Sequence, residues 1–404
     1  MVICMYSLLN DVTILEFGAV VMGPYAGQML ADLGANVIKI EAPDGDHARA
    51  SHPMVDGCGT LFINNNRNKR GLALDLKAPG SREVVRRLIA SSNVLLHNMR
   101  VDAAERAGID FDTAAAANPD IVYCAAIGFG QGGRYRDRPA FDDIVQAASG
   151  IAGLSLQAGG EPTFIPTIIA DKLGALHAVQ GILAALYAKA SGHAGAIHVE
   201  VPMFEVAVAT LLNEHLAGAT AGPATDVGYP RLFYPDRRPY RTADGWIAVL
   251  PYTGRQWEAF LHEIDRADIV ATDWFRNAGS RHARLSELYR IVADTMPSRA
   301  TAQWLDRLTA LDIPCSTVAS LADLPADPHL ADVRFFEPGR DYPPSIKRTI
   351  GHPVSFGRVE RREDRPHPAL GEHSREILQG CGFAEAEIDA LVADGAVSVP
   401  LSHS

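Results

Sequence analysis

Val12-Thr-Ile-Leu-Glu-Phe17 is followed by Gly23-Pro-Tyr-Ala-Gly-Gln-Met-Leu-Ala-Asp-Leu33 and then by Asn36-Val-Ile-Lys-Ile-Glu41. The outer runs are apolar and β-branched and read as buried strands; the middle run reads as a helix. Pro24 suits a first helical turn, and Gly34 suits the left-handed stop after the last one. A strand, a helix and a strand in so short a span make the unit of a parallel sheet. The pattern continues through a third strand at Leu72–Leu76, a helix from Ser81 to Ser91 and a strand at Val94–His97. Two short helices then precede a strand at Ile121–Ala126, and further on come a strand at Ile197–Val201 and a helix from Phe204 to Leu216. The alternation predicts an α/β fold: a doubly wound, mostly parallel sheet in a Rossmann-like large domain.

From Ala217 to Asp236 the composition shifts to Gly, Ala, Thr and Pro, which reads as a linker. Beyond it, Pro239–Leu250 reads as a hairpin turning at Ala243-Asp-Gly245, followed by helices with aromatic anchors at Trp257, Phe260, Trp274 and Trp304. Residues 1–219 are therefore expected to form the first part of the large domain and 220–330 a smaller α+β domain. The tail, 331–404, carries a Pro-rich stretch at 365–370 and helices at Ser374–Gln379 and Ala384–Ala393.

The stretch Leu173 to Ala188 is apolar or small on nearly every side, interrupted by His177 and Gln180, and predicts a buried helix. Pro166 ends any earlier helix upstream, and Asp171 stands at the start. Gly174, Ala178, Gly181 and Ala185 follow on the face that Asp171 opens, leaving room for a close backbone or for a ligand. Asp171 has two readings at this point. It caps the helix N-terminus, or it is a carboxylate kept ionised by the helix dipole and poised as a nucleophile.

Bulk properties narrow the field. The chain has 404 residues, 47% hydrophobic and 21% charged, an ordinary globular composition. With 37 basic against 48 acidic residues the net charge is −11, which argues against nucleic-acid partners; an anionic ligand must meet a local basic cluster. Five cysteines (Cys4, Cys58, Cys124, Cys315, Cys381) are scattered and form no C-x-x-C, so neither a disulfide framework nor a zinc site is expected and a cytoplasmic location fits. The N-terminus lacks signal-peptide features, and no run of about 18 uninterrupted apolar residues predicts a membrane span.

Familiar cofactor and catalytic motifs do not occur. Gly18, Gly23 and Gly27 fit neither G-x-G-x-x-G nor a P-loop, and His262-Glu263 lacks a second histidine. His193 and His198 have no acidic or thiol partners nearby, and there is no G-x-S-x-G elbow. No metal site is predicted. Three features remain. One is Asn66-Arg67-Asn68-Lys69-Arg70 before the third strand, with Asn98, Arg100 and Arg106 after the fourth. Arg100 and Arg106 lie beyond a strand's carboxyl end, where ligands collect in such sheets, and are candidates for holding phosphates; solvated charge is the alternative. The second is the glycine loop Gly128–Gly133 running to Arg138-Pro-Ala-Phe-Asp-Asp143, where Phe141-Asp142 either faces a pocket or belongs to a plain turn. The third is Asp171.

In this order the pieces resemble the class III coenzyme A transferases (the CaiB/BaiF family), which include formyl-CoA transferase, crotonobetainyl-CoA:carnitine CoA-transferase and α-methylacyl-CoA racemase. The resemblance runs through Gly23-Pro24, Leu33–Glu41, Asn68-Lys69-Arg70, Leu74–Lys77, Asn98, Gly128-Phe-Gly130, Gln146–Gly150, Ala170-Asp171 and Pro368–Glu376. It implies a two-domain protomer whose tail returns to the large domain, and a homodimer interlocked like two links of a chain. It implies CoA contacts from Val21 and Met22, from Leu74, Asp75, Leu76 and Lys77, and from Asn98, Met99, Arg100 and Arg106. Pro139, Ala140 and Phe141, with Asp142 beside them, complete the implied set. CoA enters as substrate, with no resident cofactor.

Asp171 matches the family's nucleophile, and Asp142 is read as a supporting polar group. Two departures stand out: Ala42, with Arg49 nearby, replaces an adenine-side arginine, and Val227–Tyr234 replaces a glycine run over the active site. Oxalate specificity is therefore not implied. The expected activity is acyl-CoA:carboxylate CoA transfer through aspartyl anhydride and aspartyl-CoA thioester intermediates, with glycine-segment N–H groups as oxyanion donors. Arg231, Arg237, Arg238 and Arg241 are candidates to meet a second carboxylate, as in a succinyl donor, or are plain surface charge. A racemase is the nearest alternative, but Phe141 stands where it needs a histidine and cannot carry a proton. A catalytically silent CoA-binding protein is the other.

Overall fold

In the computed structural model, residues 5–157 and 159–400 are described; Cys4 lies outside them. Two compact units emerge. The first comprises residues 1–152, 164–211 and 328–404, and the second 153–163 and 212–327.

The first unit is built on β1 (Thr13–Phe17), β2 (Asn36–Glu41), β3 (Arg70–Leu74), β4 (Val94–His97), β5 (Val122–Ile127) and β6 (Ile197–Pro202). These six strands and Val397–Ser398 form a seven-stranded sheet in the order Val397–Ser398, β3, β2, β1, β4, β5, β6. All neighbouring pairs are parallel except the tail strand on β3. The third strand begins at Arg70, two residues earlier than expected, because Arg70 pairs with Ile38. It stops at Leu74, where the Asp75 N–H turns to the Ala396 carbonyl at 2.9 Å and Asp75 Oδ1 takes the Lys77 N–H at 2.9 Å.

Successive strand residues supply opposite faces, so both faces of the sheet are apolar. Ile14, Val37, Val94 and Val122 pack with Met22, Ala26 and Leu30 of α1 (Met22–Asp32). Leu15, Ile38, Leu95 and Tyr123 face a second cluster. Between α1 and that cluster's helices the chain forms α2 (Thr60–Asn65). The cluster takes in Val84, Val85 and Leu88 of α3 (Ser81–Ala90). The same cluster takes in residues of α4 (Val101–Ala107), of α5 (Phe111–Ala117) and of the tail helices Ser374–Gly380 and Glu385–Ala393. Strand order reverses between β1 and β4, and a crevice outside the carboxyl ends of strands at such a reversal is where ligands bind.

After β5 come α6 (Asp142–Ser149), α7 (Ile169–Ala190) and α8 (Met203–His215). Contrary to the expectation of a helix buried all round, α7 is buried along one face. Ala170, Gly174, Ala175, Ala178, Ile182 and Ala185 are covered, while Leu176 and Tyr187 are 50% and 76% exposed. Its small face serves close packing within the fold. A Cβ on Gly174 would come within 2.5 Å of Met22 Cε, and one on Gly181 within 2.6 Å of Val199 Cγ1. By length and composition α7 passes the test for a membrane-crossing helix, yet its covered face lies in the core of this unit.

The second unit holds an antiparallel sheet of β7 (Tyr240–Arg241), β8 (Trp246–Val249) and β9 (Cys315–Thr317). Its hairpin turns at 242–245, where the Gly245 N–H donates to Thr242 Oγ1 at 2.9 Å. Trp257 and Phe260 of α9 (Gly254–Glu263), Tyr289 of α10 (Leu285–Thr295) and Trp304 of α11 (Thr301–Ala310) form its core. Trp274 does not join them as a buried anchor. It stacks under Arg284 at 4.0 Å on the rim, and the neighbouring Phe275 is the buried ring.

Candidate active site

The basic run before β3 is neither solvated nor open to a ligand; it is buried and paired. Arg67 grips Asp32 of α1 through Nη2 at 2.6 Å and Nε at 3.0 Å, and Asn68 Nδ2 donates to the same carboxylate at 2.7 Å. Lys69 Nζ meets Glu16 of β1 at 2.6 Å, the Pro24 carbonyl at 2.8 Å and Asn66 Oδ1 at 2.8 Å. Beside it, Lys39 of β2 bridges Glu16 at 3.3 Å and Asp46 at 3.0 Å. Arg49, the guanidinium nearest Ala42, is spent on Glu41 at 2.8 Å and lies over the Phe62 ring.

Two cavities open at the carboxyl ends of β1 to β5. One, of about 570 Å³, is lined by Asn98 to Asp102, by Ile127 to Phe129 and Gln131, and by Arg136 to Phe141. The other, of about 450 Å³, is lined by Phe17 to Ala19, Ile40 to His47 and Leu74 to Lys77. Met99 lines both, so the two adjoin. Most expected contact residues therefore gather here: Leu74, Asp75, Leu76 and Lys77 in one cavity, and Asn98, Arg100, Pro139, Ala140 and Phe141 in the other. Arg106 lines neither. It is exposed on α4 and held by Asp102 at 2.8 Å, because the two stand one helical turn apart. Arg136, unmarked by any motif, joins Arg100 and Arg138 on the cavity wall. Arg100 Nη2 donates to the Asp137 carbonyl at 3.1 Å, and Arg138 stacks on Tyr135 at 3.8 Å.

The glycine loop has a reason for its composition, since a Cβ on Gly128 would collide with the Ala140 Cβ. Two of its N–H groups are committed to carboxylates of the fold. Gly130 donates to Glu205 and Gln131 to Glu200, each at 3.0 Å, which removes these two from the set of expected oxyanion donors.

Neither cavity lining includes Asp142 or Asp171; they stand where Phe141, 73% exposed on one cavity's wall, caps α6. Asp171 does not cap its own helix. The N-cap residue is Ile168, whose side chain has no acceptor, and the cap comes from Asp142. Asp142 Oδ1 accepts the N–H of Ala170 at 2.7 Å and that of Asp171 at 3.3 Å, satisfying donors an apolar cap leaves free. Asp142 Oδ2 takes the Gln146 amide at 2.7 Å, and Gln146 also holds the Ile165 N–H on Oε1 at 2.9 Å.

The dipole does not dominate the titration of Asp171. Burial, and then the neighbouring Asp142 carboxylate, push Asp171 up from 3.8 to about 6, with the Met22 N–H opposing. At neutral pH it is an ionised, basic carboxylate. Val21 and Met22 form the N-cap and first residue of α1, both buried. In the second unit, Arg231 Nε donates to Tyr289 Oη at 3.1 Å and Arg238 lies 3.9 Å from Asp236, while Arg241 faces the Trp246 ring at 5.5 Å. Arg237 and Arg238 line a separate cavity there.

Comparison with known proteins places this geometry among relatives. The profile described as CoA-transferase family III matches residues 9–374. A succinate–glutarate CoA-transferase of Agrobacterium fabrum is 30% identical over 92% of this chain and 94% of its own length. A succinyl-CoA:mesaconate CoA-transferase of Haloarcula hispanica is 29% identical over 93% and 96%. The crystal structure of a CaiB/BaiF family protein from Brucella suis superposes with a TM-score of 0.78 at 26% identity, over 93% of this chain and all (100%) of that one.

Proposed function

The chain belongs to CoA-transferase family III, and from that membership we propose that it moves CoA from a dicarboxylic acyl-CoA to an acceptor carboxylic acid, with Asp171 as the nucleophile. The observation that carries this reading is the division of labour between two aspartates. Asp142 satisfies the N-terminus of α7, so Asp171 presents an unspent, basic carboxylate beside the cavities.

In the first step a carboxylate oxygen of Asp171 attacks the thioester carbonyl, and CoA leaves as thiolate from a mixed anhydride. The thiolate attacks the aspartyl carbonyl, forming aspartyl-CoA thioester and releasing the donor acid. An acceptor carboxylate then displaces the thiolate through a second anhydride. The thiolate finally takes the acceptor's acyl group and returns Asp171 as carboxylate. No proton is gained or lost, and the thioester's free energy is retained throughout. An acid near 6 suits both halves, being ionised at neutral pH and basic enough to attack.

Arg100, Arg136 and Arg138 are the groups to hold the phosphates of CoA, with Leu74 to Lys77 along the adjoining cavity. Relatives named for succinate, glutarate and mesaconate support a dicarboxylic donor such as succinyl-CoA. The same reading includes a doubly wound sheet, an interlocked homodimer and a cytoplasmic enzyme working without a membrane or nucleic acid. The test is incubation with succinyl-CoA, hydroxylamine trapping and peptide mapping. A hydroxamate on the peptide containing Asp171 is expected. Transfer without any adduct there would overturn the mechanism, and rapid α-proton exchange without an acceptor would favour a racemase.

A further inference from the structure

Between β1 and α1, backbone polar groups of Gly18, Ala19 and Val20 are held by side chains from elsewhere. Lys39 Nζ donates to the Gly18 carbonyl at 2.8 Å. The Asn98 amide holds both sides of Ala19, accepting its N–H at 2.9 Å and donating to its carbonyl at 2.8 Å. The Val20 N–H donates to both oxygens of Asp46, at 3.1 and 3.2 Å. Asp46 is itself buried, pairs with Lys39 at 3.0 Å and accepts the Ala48 N–H at 2.9 Å.

Val20 has a φ of +67°. A β-branched residue in the left-handed region is an outlier, and such a conformation persists only where its surroundings over-determine it. Two residues further on, the Met22 side chain packs on Gly174 of α7, three residues beyond Asp171, where an added Cβ would meet its Cε at 2.5 Å.

We propose that Asp46 is a positioning residue of the transfer reaction, locking Val20 in the left-handed conformation so that the first turn of α1 is held against α7 beside Asp171. The proposal rests on Asp171 being the nucleophile. Its chemistry calls for a carboxylate at position 46. The three groups that converge on Asp46, from Val20, Ala48 and Lys39, are all donors, and an amide there would turn its own donor against one of them. A role limited to balancing the charge of Lys39 would need no strained residue at position 20. It would also leave Asp171 unaffected.

The experiment compares Asp46→Ala, Val20→Gly and the double variant in the full-length protein. Each is assayed for succinyl-CoA-dependent transfer and for the titration of Asp171 by carboxyl ¹³C NMR. Glycine reaches a positive φ at little cost, so it should restore what Asp46 imposes on valine. Asp46→Ala is expected to lower kcat about ten- to a hundredfold, with KM changing less, as a misaimed group does. The Asp171 titration should move to higher pH as the start of α1, where the Met22 N–H opposes the upward shift, moves away. Val20→Gly in the Asp46→Ala background should recover most of the lost kcat and return the titration, while the melting temperature stays lowered.

A folded Asp46→Ala protein with wild-type kcat and titration would overturn the proposal. So would a loss that glycine at position 20 does not rescue. If Asp46→Ala fails to fold, Asp46→Asn with and without Val20→Gly reads the same rescue. Should the wild-type protein transfer no CoA, the NMR arm still decides: a titration that moves and returns keeps the positioning role, while the nucleophile reading falls by itself.

Discussion

Two sets of acids in the first unit are handled in opposite ways. Glu16, Asp32 and Asp46 lie fully inside, and each is met by a cation: Lys39 and Lys69 on Glu16, Arg67 on Asp32, Lys39 on Asp46. Burial opposes charge on Asp46, yet Lys39 and the N–H groups of Ala48 and Val20 outweigh it and hold the carboxyl below its ordinary range. Lys39 stays charged for the reciprocal reason, since burial is outweighed by Glu16, Asp46 and Glu41. Asp142 and Asp171 lie side by side, and among the described residues neither forms an ion pair. The difference separates two uses of an acid. Compensated charge fixes backbone, as at Val20, Pro24 and α1; of the uncompensated pair, Asp142 is spent on the N-terminus of α7 and Asp171 stays available for bond making.

The comparison breaks first at Asp171. Asp171→Ala is expected to reduce CoA transfer about a thousandfold or more, followed by chromatography of CoA esters; a near-normal rate would end the contrast. On the compensated side, Arg67→Met strands the buried carboxylate of Asp32 and should cost about 3–5 kcal/mol in urea unfolding. A loss of under about 1 kcal/mol would mean that the network holds little.

Asp171→Asn sharpens the contrast by going the other way. Because the folded-state value of about 6 lies above the ordinary 3.8, this group is most favourable to the fold when protonated. Wild-type stability therefore declines as pH rises from about 4 through 6. The amide variant escapes that decline and should be more stable at pH 8 by on the order of 2 kcal/mol, allowing for partial exposure. Calorimetry should show the gap closing at acid pH; a gap independent of pH would refute the assignment. The smallest expected effect is on the pH profile. Asp142→Asn keeps an acceptor for the α7 N–H groups but removes the like charge, so the acid limb of kcat/KM should move down from near 6 by about one pH unit. An unmoved limb would leave burial as the whole cause.

The strands and helices of the first unit were legible because apolar period and turn chemistry agree: β4 falls at Val94–His97 as read, and β1, α1 and β2 fall within a residue or so. What sequence order concealed was long-range pairing. Arg67 and Lys69 look like surface charge until the fold brings Asp32 and Glu16 to them from other elements. The cap of α7 was hidden likewise, since its donors lie 28 and 29 residues beyond Asp142. The helix itself reads as buried all round because hydropathy carries no information on which face the chain's own elements cover.

At Gly128 the fold leaves no space for even a methyl group, because Ala140 occupies it. The strap from Pro139 to Phe141 is thereby pressed flat on the end of β5, and the bore of the larger cavity is gauged by an atom that is missing. One carbon added at Gly128 would prise this strap outward, and because Asp142 follows Phe141 directly, the strain would run on into the cap of α7.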